Sequence, residues 1–430
     1  MECLLLKEKI LRKEYDDKLK RIYGENKIEH MRQRYVKSIE NFISLYGERD
    51  VEILSVPGRS EIIGNHTDHN HGCVLAAAVN IDIIAVVSKS LLPGGTKSHI
   101  RIKSEGFDPD DIDIENLSPV ESEKFTSAAI IRGICHKFIE SGYNIGGFDA
   151  YTTSDILKGS GLSSSAAFEV MTGYILNHLY NDNKILPVEI AKIGQYAENN
   201  YFGKPCGLMD QTTCSVGGFV AIDFNDPKEP VVEKLDYNLT KAGYSLCILS
   251  TGGSHADLND EYAAITNEMK QVAKYFGKET LRDIKRKDVN ENIVEIRKAC
   301  GDRAILRAFH YFAENGRVKV GTESLKEGQL DVFLNTVTSS GNSSFKYLQN
   351  IYANKMPHEQ SISLALAVCE EYLANKDAAY RVHGGGFAGT VQIFIPKKLV
   401  GEFIKYIENI FGEGSCLELS VREHGAMVVV

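Results

Sequence analysis

The sequence predicts a mixed α+β fold that consists of two domains and a helical N-terminal extension. Three observations lead to this prediction. The chain has 430 residues, which is enough for two or three domains with cores of their own. Strand-like and helix-like hydrophobic patterns alternate along most of its length. A polar, proline-containing run over 225–238 interrupts these patterns, and we predict the junction between the two domains there.

The predicted elements divide the chain into residues 1–40, 41–238 and 239–430. The first part has apolar residues at helical spacing among many charges, which predicts one or two surface helices. In the second part, strands are predicted near 51–56, 72–79, 81–87, 148–153 and 217–224, and helices near 124–141 and 189–202. In the third part, strands are predicted near 244–249 and 390–395, and helices near 257–275, 292–315, 327–337, 360–374 and 398–411.

The charge and cysteine content argue against several classes of protein. The formal net charge of −9 provides no basic surface for nucleic acid. The nine cysteines are scattered and never form a C-x-x-C pair, which is typical of reduced thiols in the cytoplasm. No apolar run reaches the length of a membrane-spanning helix. We therefore expect a soluble, cytoplasmic, monomeric enzyme that binds small molecules and neither nucleic acid nor a membrane.

The stretch 157–170, L-K-G-S-G-L-S-S-S-A-A-F-E-V, combines a glycine–serine loop with the start of a predicted helix. Glycine permits positive φ and a close approach of a ligand to the backbone. The free N–H groups of the first helical turn favour an anion such as phosphate, and serine hydroxyls bind phosphate oxygens or magnesium. A linker before an N-capped helix fits this pattern equally well. The candidate phosphate-binding residues are Gly159, Ser160, Gly161, Leu162, Ser163, Ser164, Ser165 and Ala166.

The loop 58–72 is dense in hydrogen-bonding side chains and lies between two predicted buried strands. Asp68 can accept hydrogen bonds from hydroxyl groups, while Asn65 and His66 can donate or accept them. This chemistry predicts a site for a hydroxyl-rich ligand such as a sugar. A solvated polar loop is one alternative, and a metal site is a weaker one, because such spacing rarely converges on one ion. The metal site would use His66, Asp68, His69 and His71.

Three further segments carry candidate functional groups. Asp210 follows a glycine-containing turn, where it could act as a general base or as a helix N-cap. Glu198, on the preceding helix, could hold a metal ion. The glycine loop 384–389 opens onto a strand and is compatible with a tight bend between two backbones. Periodicity alone describes 307–318 as an amphipathic helix.

In this order and spacing, the segments resemble the signatures of the galactokinase branch of the GHMP small-molecule kinases. The first family signature, Gly-Arg-x-Asn-Leu-Ile-Gly-Glu-His-x-Asp-Tyr-Asn, is similar to residues 58–70. The family's Cys-Gly-x-Met-Asp-Gln stretch matches 206–211 residue for residue. Its phosphate loop, its Arg-Ala-x-His helix and its third glycine motif resemble 159–167, 307–318 and 384–389. The resemblance covers about residues 40–430.

The resemblance implies an N-terminal ribosomal-S5-like α/β domain and a C-terminal ferredoxin-like α+β domain, with ATP and a sugar in the cleft between them. Asp210 would accept the proton of the anomeric hydroxyl, while Arg59 would keep Asp210 ionised and counter charge on the transferring phosphoryl group. Mg²⁺ would be held by Ser165, or its neighbour Ser164, together with Glu198. The third glycine motif would support the phosphate loop. The implied sugar-binding residues are Asn65, His66, Asp68, Gly207 and Tyr262.

The implied function is ATP-dependent phosphorylation of the anomeric (C1) hydroxyl of a hexose, with galactose favoured. The sugar loop departs from the family at two important positions. Asn65 replaces the family acid that contacts the C6 hydroxyl, and Glu61 stands where Asn is usual. A neutral Asn65 would remove repulsion against a C6 carboxylate, so galacturonate is an alternative substrate. Further departures are His69 for Tyr and Gly341-Asn342 for Ser-His.

Two other classes of function remain open. A catalytically silent, galactokinase-like sugar sensor would bind sugar and ATP and signal to a protein partner. Such a sensor is expected to lose part of the phosphate loop or the base, whereas Arg59, Asp210 and 163–167 are all retained. A metal-dependent hydrolase would use the histidine-rich loop and would contain bound zinc.

Overall fold

The computed structural model describes residues 1–90, 98–156, 161–253 and 258–430. Within these ranges the chain forms fourteen α-helices and twelve strands in two sheets, which confirms the predicted α+β class. The strands are β1 (Glu52–Ile63), β2 (Cys73–Lys89), β3 (His99–Ser104), β4 (Asp110–Asp113), β5 (Phe148–Ser154), β6 (Phe219–Asp223), β7 (Val231–Leu235), β8 (Tyr244–Ser250), β9 (Ala379–His383), β10 (Thr390–Pro396), β11 (Cys416–Leu419) and β12 (Met427–Val428).

The helices match most of the segments that show helical periodicity. The predicted helix near 292–315 is two helices, α10 and α11, and the second continues to Lys326. The helices are α1 (Cys3–Leu11), α2 (Asp16–Tyr23), α3 (Ile28–Tyr46), α4 (Ser127–Glu140), α5 (Ser164–Tyr180), α6 (Pro187–Ala197), α7 (Met209–Val216), α8 (Asn259–Tyr275), α9 (Arg286–Glu291), α10 (Ile293–Cys300), α11 (Asp302–Lys326), α12 (Leu330–Ser343), α13 (Ser361–Leu373) and α14 (Val400–Phe411). No helix in this described part of the chain is long and apolar enough to cross a membrane.

The first sheet has eight strands, with the order β12-β1-β2-β5-β3-β4 and with β6 and β7 attached through β2. Strands β3 and β5 are parallel, and the other pairs are antiparallel. The run 225–238, where we predicted a domain junction, contains β7. The final strand, β12, returns to pair with β1, so the end of the chain completes the first sheet. The domain boundaries themselves stay predictions.

The N-terminal extension covers one face of this sheet. Side chains alternate along a strand, so Leu54 and Val56 contact the core beneath α4–α6, while Ile53 packs with the extension on the other face. The extension consists of three helices rather than the predicted one or two. Its long helix α3 buries Tyr35 and Phe42 completely or nearly so, because both faces of β1 and β2 are apolar and require cover.

The second sheet has four antiparallel strands in the order β11-β8-β10-β9. Helices separate β8 from β9, and α14 separates β10 from β11. Along the chain this gives the βαββαβ arrangement of a ferredoxin-like domain. The fold that the resemblance implied for the C-terminal half is confirmed.

Candidate active site

A cavity of about 250 Å³ lies where the loop after β1, the start of α7 and the glycine loop after β9 meet. Six of the residues predicted from the sequence to bind or transform a substrate line this cavity, and a seventh, Tyr262, does not. The six residues are Arg59, Asn65, His66, Asp68, Gly207 and Asp210. The tertiary structure thus brings together side chains that are as much as 151 residues apart in the sequence, as Arg59 and Asp210 are.

Arg59 and Asp210 form a two-point ion pair on the cavity wall. Arg59 Nε donates to Asp210 Oδ1 over 2.8 Å, and Arg59 Nη2 donates to Oδ2 over 2.7 Å. The third guanidinium nitrogen donates to the carbonyl of Gly161. Ser163 Oγ donates to Asp210 Oδ2 over 2.5 Å. The predicted Arg59–Asp210 contact therefore exists, and it touches the phosphate loop directly.

The environment of Asp210 keeps its carboxylate ionised. Burial raises its pKa, but the charge and hydrogen bonds of Arg59 and the hydrogen bond from Ser163 outweigh burial and leave the pKa below its usual range. The Asp210 side chain remains 32% exposed, so a ligand in the cavity can reach it. Asp210 lies in the first turn of α7, whose N-cap is Leu208. The N-cap interpretation of Asp210 is therefore wrong.

The phosphate loop is described from Gly161 onward, and the predicted Gly159 and Ser160 lie outside the described residues. Gly161 has φ +72° and Ser163 has φ +56°, so the chain turns sharply before α5. The carbonyl of Leu162 accepts a hydrogen bond from the Arg59 backbone N–H over 3.1 Å. A Cβ at Gly58 would lie 2.8 Å from that carbonyl, so glycine permits this close approach.

In the structure β1 continues to Ile63, so the predicted polar loop 58–72 is shortened to 64–72, and side chains of helix α11 hydrogen-bond to this loop and to the start of β2. His310 Nε2 donates to the carbonyl of Asn65 over 2.9 Å, and Glu314 accepts the backbone N–H of Gly64 over 2.9 Å. Asn315 accepts the N–H of Cys73 over 2.7 Å. Periodicity described this segment only as an amphipathic helix, because a spacing pattern does not reveal which backbone groups a buried polar residue will contact.

The glycine loop after β9 contacts the polar loop, and His383, the last residue of β9, lies beside the phosphate loop. The carbonyl of Gly385 accepts a hydrogen bond from His66 Nε2 over 3.0 Å, and His383 lies 3.2 Å from the position of a Cβ on Gly161. Burial, together with the neighbouring His69, lowers the pKa of His66 to about 4, so its ring is neutral near pH 7. Because a carbonyl only accepts, Nε2 carries the proton and Nδ1 is left as an acceptor.

Tyr262 lies behind this wall rather than on it. Its ring stacks at 6.5 Å from that of His66, and its hydroxyl donates to the carbonyl of Gly386 over 3.0 Å. Tyr262 is not part of the cavity lining, because Gly385 and His66 stand between its ring and the cavity, and its place beside the sugar stays a prediction.

Asp68 and Gly207 are in direct contact across the cavity. A Cβ at Gly207 would lie 2.4 Å from Asp68 Oδ2, so any larger residue would displace this carboxylate. The other oxygen, Oδ1, accepts the backbone N–H of His69 over 3.0 Å. These contacts orient the Asp68 carboxylate but leave it able to accept further hydrogen bonds, which binding of a hydroxyl group requires.

A second, larger cavity of about 600 Å³ adjoins the first turn of α5. It contains Ser164, Ser165 and Glu198, the residues proposed for magnesium, and also Glu169. Gln211, next to Asp210, donates to Glu169 over 2.8 Å and to Glu198 over 3.2 Å. The start of α7 therefore connects the two cavities.

Several residues of the larger cavity were missed by the sequence analysis. Glu169 is the most informative of them, because a buried acid within the apolar run 166–171 is itself a signal of a polar partner. Burial and the adjacent Glu198 raise the pKa of Glu169 well above its usual value. Aromatic residues also line the cavity wall, and periodicity gave no sign of their role; they are Phe107, Phe125, Phe168 and Phe202.

The zinc interpretation of the histidine-rich loop gains no support. Within the residues that the structure describes, no three His, Cys, Asp or Glu side chains are grouped as a metal site would require. His66 instead bonds to a carbonyl, and His69 is exposed beside Asp68.

Comparison with known proteins agrees with this geometry. The family described as "GHMP kinases N terminal domain" matches residues 129–218, and the "Galactokinase galactose-binding signature" matches residues 40–89. A galactokinase from Actinobacillus pleuropneumoniae serotype 5b is 30% identical over 366 residues, covering 83% of this chain and 88% of the relative. A galactokinase from Streptomyces coelicolor is 28% identical and covers 86% and 92%.

Solved structures share the fold. Lactococcus lactis galactokinase, crystallised with galactose, superposes with a TM-score of 0.74 at 22% identity, covering 90% of this chain and 98% of that one. Methanococcus jannaschii mevalonate kinase gives a TM-score of 0.59 at 14% identity, covering 86% and 98%. The two-sheet fold and the helix-capped phosphate loop define a GHMP-type small-molecule kinase. Within that class, the chain belongs to the galactokinase family.

Proposed function

We propose that the chain transfers the γ-phosphoryl group of ATP to the anomeric (C1) hydroxyl of a hexose, and that this hexose is galactose. The observation that carries the proposal is the ion pair of Arg59 and Asp210, which lies on a sugar-sized cavity and is hydrogen-bonded to the phosphate loop. Family membership supports both ATP and a sugar as substrates.

Asp210 is the base or charge partner of the acceptor hydroxyl. Its lowered pKa keeps it anionic near pH 7, where it accepts a hydrogen bond from the hydroxyl and favours release of the proton. Arg59 holds this carboxylate at two points and supplies positive charge beside the loop that faces the phosphates. Because phosphoryl transfer needs little covalent assistance, such positioning and charge neutralisation provide most of the catalysis.

The triphosphate is proposed to lie over the start of α5. The residues from Gly161 to Ala166 include the unpaired N–H groups of the first helical turn, which favour phosphate oxygens. The larger cavity next to them is lined in part by exposed aromatic rings, including Phe107 and Phe125, and suits a nucleoside.

The same cavity fits a divalent cation. Buried oxygens of Glu169 and Gln211 accept no hydrogen bond within the described residues. Glu169 and Glu198 lie close together and share the amide of Gln211, while Lys204 lies 3.7 Å from the other oxygen of Glu198. Two neighbouring carboxylates favour a cation beside them, and Mg²⁺ prefers oxygen ligands. Ser165 and Glu198 would hold the ion, with Ser164 and Glu169 beside them. When bound, it would neutralise charge on the triphosphate.

Two alternatives make different predictions. A silent sugar sensor is disfavoured because the ion pair and its serine partner are all in contact. Galacturonate in place of galactose is disfavoured because the polar groups of the neutral Asn65 are bonded within the protein, while Glu61 and Asp68 add carboxyl groups to the cavity. The cytoplasmic location and the monomeric state stay predictions from the sequence.

The experiment is an ATP-consumption assay over hexoses and hexuronic acids, with the product examined by ³¹P and ¹H nuclear magnetic resonance. We expect a phosphate ester on C1 of galactose. The Asp210→Asn protein serves as the control for contaminating kinases. ATP binding without consumption in the presence of every sugar would reject the kinase and favour the sensor.

A further inference from the structure

The sugar cavity contains a carboxylate that the family signature does not predict. In the first signature the acid belongs at position 65 and the amide at position 61, whereas this chain has Asn65 and Glu61. The two side chains are in contact, because Asn65 Nδ2 donates to Glu61 Oε1 over 3.0 Å, and both line the cavity. The acid and the amide have therefore exchanged positions across one hydrogen bond.

Asn65 has no polar atom left for a substrate hydroxyl. Its second N–H donates to the carbonyl of Gly384 over 2.8 Å, and its Oδ1 accepts from Asn350 over 2.8 Å. Asn350 also donates to the carbonyl of Gly385 over 3.0 Å. Because backbone carbonyls only accept, these contacts fix the orientation of both amides. Asn65 is 1% exposed, and its hydrogen bonds connect Glu61 of β1 to the glycine loop after β9.

Glu61, in contrast to Asn65, has a carboxylate oxygen available to a ligand in the cavity. It lies two residues after Arg59 on β1, and the pairing with β2 is regular from 59 to 61, so both side chains point to the same face. Glu61 Oε1 accepts the hydrogen bond from Asn65 and lies 3.6 Å from Arg381 Nη2. Glu61 Oε2 accepts no hydrogen bond from any residue in the described ranges, and the side chain keeps 8% of its surface exposed.

The charges around the cavity oppose an anionic sugar. Three carboxyl groups line it, those of Glu61, Asp68 and Asp210, against a single arginine, Arg59, which is already paired with Asp210. Arg381 stands behind Glu61 and is fully buried. Among the described residues that line the cavity, the other basic side chains are His66, bonded to Gly385, and His69, 3.5 Å from Asp68. A hexuronate carboxylate would thus meet three carboxyl groups and no unpaired arginine or lysine of this lining, whereas a neutral hydroxyl can donate to Glu61.

We propose that Glu61 is the specificity-determining residue of the sugar cavity: it binds a hydroxyl group of a neutral hexose and rejects hexuronic acids. The inference rests on the proposed sugar-kinase function and deepens it. It assigns the discrimination between C6 variants to Glu61 rather than to Asn65.

The test compares four proteins: wild type, Glu61→Gln, Glu61→Asn and the exchanged double variant Glu61→Asn/Asn65→Glu. Each is measured for kcat/KM and, by calorimetry, for binding of galactose, 6-deoxygalactose and galacturonate. Glutamine at position 61 keeps a side-chain oxygen that accepts the hydrogen bond from Asn65, so the hydrogen bonds around Asn65 are preserved. We expect Glu61→Gln to weaken galactose about 10- to 100-fold and to improve the ratio of galacturonate to galactose by at least that factor.

The exchanged variant returns an acid to the cavity wall and should recover most of the galactose preference that Glu61→Asn loses. The exposed Glu295→Gln is the charge-matched control and should leave the ratio unchanged. Glu61→Gln with a wild-type ratio in calorimetry would overturn the inference. Normal sugar binding without any ATP consumption by wild type would instead overturn the proposed function, so the two failures are distinguishable.

Discussion

Asp82 and Asp210 are both held by arginine, yet one is surrounded on all sides and the other opens onto a cavity. Asp82 is fully buried and accepts hydrogen bonds from Tyr23 over 2.6 Å, Arg34 over 2.7 Å and Arg422 over 3.1 Å. Asp210 is 32% exposed and is bound by one arginine. Burial raises the pKa of each, and the arginines more than offset it.

The difference between the two carboxylates shows that a lowered pKa does not by itself identify a catalytic acid. The Asp82 cluster joins the N-terminal extension, through Arg34, to the C-terminal segment, through Arg422. Arg34 and Arg422 neutralise the negative charge of the Asp82 carboxylate. No ligand can reach this carboxylate, because it is fully buried. The Asp210 carboxylate is also bound by arginine, but one side of it faces the cavity, where an acceptor hydroxyl can approach.

The largest expected effect is on activity at Asp210. The Asp210→Asn substitution removes the anionic acceptor, and we expect kcat for galactose to fall by about 10⁴-fold, with ATP binding retained. The free energy of unfolding should fall less than in Asp82→Asn, because Asp210 is 32% exposed and one arginine rather than two loses its counter-charge. Steady-state kinetics and urea denaturation measure the two quantities. A variant with wild-type turnover would show that Asp210 does not act on the acceptor.

Asp82→Asn should show the opposite pattern. It leaves two buried arginines without their counter-charge, so we expect a loss of about 3–5 kcal/mol in the free energy of unfolding. Activity per folded molecule should stay within about twofold of wild type at 20 °C. If Asp82→Asn instead abolished turnover in a fully folded protein, the proposed contrast between the two carboxylates would fail.

A third buried carboxylate, Glu314, provides a test by pH. Burial raises its pKa, but His310, Arg317, Arg381 and the hydroxyl of Ser340 together lower it to about 2. The folded pKa lies below the unfolded value of about 4.3, so Glu314 stabilises the protein above pH 5 and loses this contribution as pH falls toward 2. The full contribution is about 3 kcal/mol, and roughly half should be lost by pH 3.

The measurement for Glu314 compares wild type with Glu314→Gln. The difference in their free energies of unfolding should shrink as the pH is lowered from 6 to 3. The glutamine variant cannot titrate at this position, so it removes the contribution of all other carboxylates from the comparison. A difference that is constant with pH would contradict the assignment.

The smallest expected effect concerns His66. Because its pKa is about 4, the ring is neutral from pH 6 to 8, and the KM for galactose should change by less than about twofold over that range. Below about pH 5 the ring takes up a proton and Nδ1 no longer accepts a hydrogen bond, so KM should rise. A KM that doubled or more around pH 6.5 would show that His66 titrates at its ordinary value.

Much of the fold was accessible from local pattern. The helical segments and the glycine–serine loop follow from periodicity and glycine placement, which are properties of neighbouring residues, whereas the ferredoxin-like arrangement was expected only from the resemblance to the kinase family. The three helices at residues 1–46 were undercounted because the pattern shows that a helix has an apolar face but not how much sheet it must cover.

The sequence by itself determined which groups could do chemistry: the serines of the phosphate loop, Arg59, Asp210 and the polar residues near 65–68. Only the tertiary structure decided what each of them contacts. It showed that the hydrogen-bonding groups of Asn65 are all used within the protein, that Glu61 lines the cavity and that Tyr262 lies behind His66. Whether a polar side chain serves the protein or its ligand depends on partners distant in sequence, and local spacing carries no information about them.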